Sequence, residues 1–287
     1  MPRRSLSFTY PLLLGANKLR QSLPFVGPKL RVLMYHDVTP CEMSQLSSTI
    51  IWLKKNWEFL SPFQFEQVMQ GHQRLLHDSL LLTFDDGFFS NLAVAETILN
   101  PLRIKAIFFV IPDFVDKVHQ DQSRKFIVER LKLEIDSRAP LNHFKNMSWS
   151  DLSQLLENGH VIGAHSMSHE PLGDGTSYDI LSREIIETAD RLESKLGTQI
   201  RHFAFPFGNF YSLSKRAFEV AMSRYMFIHS GIRGNNTPGS ALRMIRRDAL
   251  KPTDKRSVVG ALLLGGADFR YRQYNRVLDD WALNRTC

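Results

Sequence analysis

The chain has 287 residues, 43% of them hydrophobic and 23% charged, with 20 Phe and 4 Trp. That composition excludes a disordered or fibrous protein and is enough to bury a large core in one α/β domain or two small ones. The net charge of +7 sits at the ends: residues 1–36 carry six Lys/Arg and no acid, 243–287 carry ten against five, and 37–242 carry twenty basic against twenty-four acidic residues. A slightly acidic middle argues against a basic nucleic-acid groove. It leaves the ends as solvated surfaces or as contacts for an anionic polymer or membrane.

Cys41 and Cys287 are too few for a disulfide framework and have no metal-type spacing. The start, Met1-Pro2-Arg3-Arg4 followed by Leu6 to Gly15, imitates a signal peptide. Pro11, Ser7 and Thr9 interrupt its short apolar stretch, so no cleaved signal is expected. No run reaches the ~20 apolar residues of a membrane span, which leaves peripheral membrane contact through the basic termini. A cytoplasmic or inner-membrane-peripheral location is slightly favoured over a periplasmic or extracellular one.

After an irregular, Pro-containing opening, the pattern predicts a strand over Leu30–Tyr35 and a helix over Ser44–Asn56. A helix near Pro62–Met69, a strand over Leu80–Phe84, a helix over Asn91–Leu99 and a strand over Ala106–Ile111 follow. Next come a helix over Ser123–Ile135 and another opening at Ser148, where Ser148-Trp149-Ser150-Asp151 has capping-box form and Gly159 stops the helix. Val161–Ala164 reads as a strand, Tyr178–Leu196 as a long amphipathic helix ended by Gly197, His202–Phe205 as a strand and Ser214–Met222 as a helix. Tyr225–Ile228 and Leu242–Ile245 are the last strand candidates. Short strands that are apolar on both faces suit a parallel sheet covered by helices. The alternation predicts a barrel or a doubly wound α/β domain, with no linker to split it. The organisation is an N-terminal extension over 1–28, a catalytic domain over 29–250 and a basic C-terminal extension over 251–287.

Three polar clusters follow predicted strands: Asp85-Asp86-Gly87, His165-Ser166-Met167-Ser168-His169 and Pro206-Phe207-Gly208. In parallel α/β folds such positions share one rim and build the active site. Of two adjacent carboxylates, one can bind a cation and free the other to take a proton; the alternative is a hairpin turn, since Asp-Gly between apolar runs signals one. His165 and His169, spaced i, i+4, meet on one side if a single helical turn follows the strand. With one carboxylate they form a two-histidine, one-carboxylate site that leaves positions open for water and substrate. The alternative is a pair of surface histidines.

Thr83-Phe84-Asp85-Asp86-Gly87 together with His165-Ser166-x-x-His169 resembles the first two signature motifs of the NodB-homology polysaccharide deacetylases, carbohydrate esterase family four. The resemblance spans about residues 29–250. It implies a distorted (β/α)7-type barrel in a single domain and a divalent metal, zinc, held by Asp86, His165 and His169. It makes Asp85 the catalytic base and gives the Phe207 backbone N–H the place of an oxyanion donor. Ala204 stands where the third motif has an arginine that orients the base, and Arg201 or Arg233 are candidate substitutes. The usual Leu-x-His motif is absent around Leu242–Leu250. The opening Val32-Leu33-Met34-Tyr35-His36-Asp37 resembles instead the motif-permuted poly-N-acetylglucosamine deacetylase branch, which makes His36 the general acid. The alternatives are a purely structural His36, with His229 as the rival acid.

The expected activity is removal of N-acetyl groups from an N-acetylhexosamine-containing polysaccharide or its biosynthetic intermediate, with the N-acetylated glycan as partner. The competing readings are a catalytically inactive carbohydrate-binding relative and a membrane or anionic-polymer interaction protein.

Overall fold

The computed structural model describes residues 3–23, 27–135, 144–240 and 242–283; Met1, Pro2 and Cys287 lie outside them. Its strands are β1 (Leu30–Tyr35), β2 (Glu58–Phe59), β3 (Ser79–Phe84), β4 (Ala106–Val110), β5 (Val161–Ala164), β6 (His202–Ala204), β7 (Phe227–His229) and β8 (Asp248–Ala249). They form one sheet in the order β7-β6-β5-β4-β3-β1-β8, with β2 beside the start of β3. Every ladder in it is parallel.

The ring closes through a single segment. Ile245 N–H donates to Ile228 O at 2.7 Å and Ser230 N–H to Ile245 O at 2.9 Å, while Asp248 and Ala249 pair with Leu33 and Met34 of β1. The fold is therefore the distorted (β/α)7-type barrel in one domain, and the doubly wound alternative falls away. Strand alternation sorts its core into two layers. Val32, Leu81, Ile107, Phe109, Phe227 and Ile245 fill the interior, above Phe65, Val68 and Met69 of a helix over Pro62–Gln70. Leu33, Leu82, Phe84, Phe108, Phe203 and Ile228 face outward to the helices. Gly163 has no side chain because the Phe109 ring needs the space; a Cβ there would lie 2.5 Å from it.

The Ser148 capping box forms as expected, with Ser148 Oγ accepting from Asp151 N–H, at the start of the helix over Trp149–Glu157. The long helix from Tyr178 ends at Leu196 before a left-handed Gly197, with one π turn at Ser182–Ile186. The 91–99 helix likewise carries a π turn, at Ala95–Leu99. The 123–135 helix lies earlier, at Gln120–Glu129.

Two expectations fail. The irregular opening is a helix over Arg3–Gln21 that includes Pro11. It forms because Leu6 is buried and the Tyr10 ring fills the space above Gly260, where a Cβ would meet it at 2.2 Å, so tertiary packing overrides the proline. The Leu242–Ile245 strand contributes only Ile245 to the sheet, and pairing resumes at Asp248. Leu242 is exposed, whereas Asp248 is drawn in by a buried network: Arg31 Nε donates to its Oδ2 at 2.7 Å and Arg233 Nη1 lies 2.8 Å from its Oδ1.

His160, beneath β4, accepts from Ala106 N–H through Nδ1 at 3.2 Å, which fixes its neutral tautomer with Nε2 3.0 Å from Asn100 Oδ1. Burial, helped by the Lys105 charge, pushes its pKa down to about 4. The unfolded chain takes up a proton that the native site refuses. Stability is thus full above the ordinary histidine range and falls from pH ~6.5 toward 4, by roughly 1.4 kcal/mol per pH unit for this group. Urea midpoints of wild type and His160→Gln across that window check this: the variant is expected to lose less stability on acidification.

Candidate active site

Strand β3 delivers the acidic pair. Asp85 N–H donates to Tyr35 O at 2.9 Å, continuing the β1–β3 ladder, and alternation after Leu81 and Thr83 turns the Asp85 side chain inward. Asp86 then takes a left-handed backbone (φ 74°) and Gly87 another (φ 92°). The turn leads into the helix over Phe89–Val94, and β3 pairs only in parallel, so the hairpin alternative is excluded.

The histidines converge, but not through the helical turn their spacing suggested. His165 extends β5, with its N–H on Val110 O at 3.0 Å. Ser166 (φ 58°) and His169 (φ 63°) are both left-handed, and Ser166 Oγ accepts from His169 N–H at 2.9 Å. Buried Glu184 holds the loop by accepting from the Ser168 N–H and Oγ–H at 2.9 and 2.7 Å. Such strained non-glycine backbone concentrates at functional sites.

Asp86 Oδ1 lies 3.4 Å from His165 Nε2 and 3.7 Å from His169 Nε2. One donor atom from each of the three buried residues falls within 4.8 Å of the others, in the arrangement of a metal-ligand cluster. Each imidazole has its Nδ1 on a backbone carbonyl, His165 on Ala204 O at 2.8 Å and His169 on Arg130 O at 3.1 Å. A carbonyl can only accept, so Nδ1 carries the proton and the Nε2 lone pair is free. Asp86 Oδ1 is buried with no hydrogen-bond partner among the described residues. A buried orphan carboxylate oxygen facing two imidazole lone pairs fits a divalent cation of the zinc class, with the carbonyls as the outer support such ligands require.

The electrostatics agree. Burial pushes the Asp86 carboxyl up, but the proximity of the His165 imidazole, with His36 and His169 near by, outweighs it and holds the carboxyl well below the carboxylate range. Burial pushes His169 down to about 4, which leaves it neutral. Burial also works on His165, but Asp85 and Asp86 outweigh it and raise this group, so a proton and a cation compete for the same Nε2 lone pair.

Asp85 is held by a residue the sequence reading missed. Arg247 Nη1 donates to Asp85 Oδ1 at 2.6 Å and Nη2 to Oδ2 at 2.8 Å, a fully buried bidentate fork. Its Nε donates to Ser230 O at 2.8 Å, and the guanidinium lies 5.1 Å from the Phe109 ring centre. Arg247 therefore holds Asp85 in the way expected of the arginine that Ala204 replaces. Arg201 does not, because it pairs with Glu66, and Arg233 does not, because it pairs with Asp248. The available signal was alternation: Ile245 faces the interior, so Arg247 does too. Burial raises the Asp85 carboxyl, but the charges of Arg247, His165 and His36 hold it below the usual range. Arg247→Ala leaves that carboxylate buried and unpaired, so a loss of about 3–5 kcal/mol is expected, read as a lowered urea midpoint. Arg247→Lys keeps the charge but not the fork, and is expected to recover only part of it.

His36 follows β1, exposed, level with Asp85; its carbonyl accepts from Asn91 Nδ2 at 2.8 Å. The rival acid His229 is fully buried in the barrel interior, its Nε2 3.1 Å from His202 Nδ1. His202 in turn lies 2.9 Å from Glu66. Burial, with the His202 and Arg247 charges, keeps His229 well below the ordinary histidine range. Phe207 sits in a tight turn (φ 59°) closed by Gly208 N–H on Pro206 O at 2.6 Å, its ring 4.4 Å from that of His169. No described residue accepts from the Phe207 N–H.

The family profile described as polysaccharide deacetylase matches residues 72–223. Among curated proteins none matches the chain by sequence. Among solved structures, IcaB from Ammonifex degensii is 21% identical with a TM-score of 0.65, covering 83% of this chain and 98% of its own. A de-N-acetylase from Aggregatibacter actinomycetemcomitans gives 17% and 0.64, covering 82% and 99%. The Streptococcus pyogenes deacetylase PplD in complex with acetate gives 18% and 0.62, covering 81% and 97%. At these identities the structures establish the shared barrel. His36 and Arg247 lie outside the matched segment, while Asp85, Asp86, His165, His169 and Phe207 lie inside it. That segment spans more than half of the sequence and holds both the acidic turn and the paired histidines, and on it this chain belongs to the polysaccharide deacetylase family.

Proposed function

We propose that the chain removes N-acetyl groups from an N-acetylhexosamine-containing polysaccharide or its biosynthetic intermediate, as a member of the motif-permuted poly-N-acetylglucosamine branch. The observation that carries this reading is the orphan Asp86 Oδ1 facing two Nε2 lone pairs, beside a second carboxylate fixed by an arginine.

Amide hydrolysis needs a strong nucleophile, stabilisation of the oxyanion and a proton for an amine that leaves poorly as an anion. A divalent cation, zinc by the nitrogen and oxygen donor set, would be held by Asp86, His165 and His169 and would acidify water and polarise the acetyl carbonyl. Asp85, ionised and held in place by Arg247, accepts the proton of the attacking water. The Phe207 N–H donates to the developing oxyanion. His36, at the solvent edge of β1, donates to the departing sugar nitrogen. The inactive-relative reading drew its force from Ala204 and from the unsettled acid, and the Arg247 fork speaks against the first of these grounds. An interaction protein would have no use for the convergence of Asp86, His165 and His169.

The test is acetate release from N-acetylglucosamine oligomers. Release that stops with a chelator and returns with added zinc is expected; a zinc-loaded protein that binds the oligomer and releases no acetate favours the inactive relative.

A further inference from the structure

The N-terminal helix has two apolar faces, and the barrel uses one. At ~100° per residue, Leu6, Tyr10 and Leu13 share the side turned to the helix over Arg256–Leu263. On the opposite side, Phe8, Leu12 and Leu19 form a stripe continued by Leu23 beyond the helix end. Phe8 is 83% exposed, Leu12 78% and Leu19 68%. A surface helix ordinarily presents polar residues there.

The setting of the stripe is cationic. The helix has no acidic residue, and Lys18 is exposed beside the stripe. At its far end Leu23 lines a cleft of about 730 Å³ whose walls include Arg20, Lys54, Lys55 and His77. The acids there are Glu58 and Asp78; Asp78 pairs with Arg20, Nη2–Oδ1 at 2.6 Å, and accepts from the Lys29 N–H at 2.7 Å, so the Arg20 and Asp78 charges cancel and Lys54 and Lys55 stand against Glu58 alone.

We propose that this outer face, with the basic cleft that continues it, docks the enzyme on an anionic lipid surface. The helix lies in the interface, with Phe8, Leu12 and Leu19 among the acyl chains and the cations at the headgroup phosphates. No helix among the described residues is long and apolar enough to cross a membrane, so the contact is peripheral. A second copy fits the patch less well, because it would bring the same cations face to face.

Co-sedimentation of the full chain with vesicles tests this. Binding is expected to equimolar phosphatidylglycerol and phosphatidylcholine, and to be at least about tenfold weaker to phosphatidylcholine alone. The triple variant Phe8→Ser, Leu12→Ser, Leu19→Ser is expected to lose about tenfold or more of that binding, with acetate release from soluble oligomers unchanged. Lys18→Glu with Lys55→Glu, which touches no core residue, is expected to weaken binding and flatten its salt dependence, and gives an independent arm if the triple variant misfolds. Wild type that stays in the supernatant, or variants that pellet like wild type, overturn the proposal. So does a triple variant that turns a dimer into a monomer while vesicle binding is absent from both, which makes the stripe a contact between copies.

Discussion

Asp85→Asn is expected to lower kcat by about 10²–10⁴-fold, the range for loss of a general base, while the protein keeps its bound metal. The substitution preserves shape but removes the proton acceptor. Asn still offers one oxygen to Arg247, so part of the fork survives; the other guanidinium nitrogen loses its acceptor inside the barrel, and some loss of stability accompanies the loss of turnover. The three ligand atoms of Asp86, His165 and His169 are untouched. Metal content measured beside kcat therefore separates the two neighbouring carboxylates. Metal lost with Asp85→Asn means that base and ligand are assigned the wrong way round.

His165→Ala and His169→Ala are expected to lose both metal and turnover. Removing a hydrogen-bond partner of a metal-bound histidine typically lowers affinity about 10–100-fold, and removing the imidazole itself does more. Each variant leaves Asp86 Oδ1 facing one lone pair instead of two. His165→Ala also frees the Ala204 carbonyl inside the barrel, so it is expected to be the less stable of the two. Metal analysis after dialysis and acetate release at saturating zinc read both effects. Retention of one ion per chain by either variant contradicts the ligand set.

Much of this was legible in the sequence, because the features involved are local. Strands Leu30–Tyr35 and Val161–Ala164 match their predicted bounds: each is short, apolar on both faces and bounded by polar residues. The Ser148 capping box and the Gly197 stop are likewise written within a few residues. What escaped depends on distant partners. The Arg3–Gln21 helix exists against Gly260 and its neighbours, far along the chain, and its own residues, with Pro11, argue against it. Strand β8 is two residues long and owes its place to Arg31 and Arg233. Arg247 was hidden for the same reason: its partner Asp85 lies 162 positions away. The rival acid His229 looked available because a strand end puts a residue near the rim, but the inward phase of β7 buries it with His202 and Phe109.

The proposed mechanism rests on Asp86, His165 and His169 holding a divalent cation. Zinc titrated into chelator-treated protein, with acetate release followed at each addition, tests this most directly. Activity that rises from zero in proportion to occupancy and levels off at one ion per chain is the predicted result. Metal-free protein that releases acetate at the full rate would contradict it.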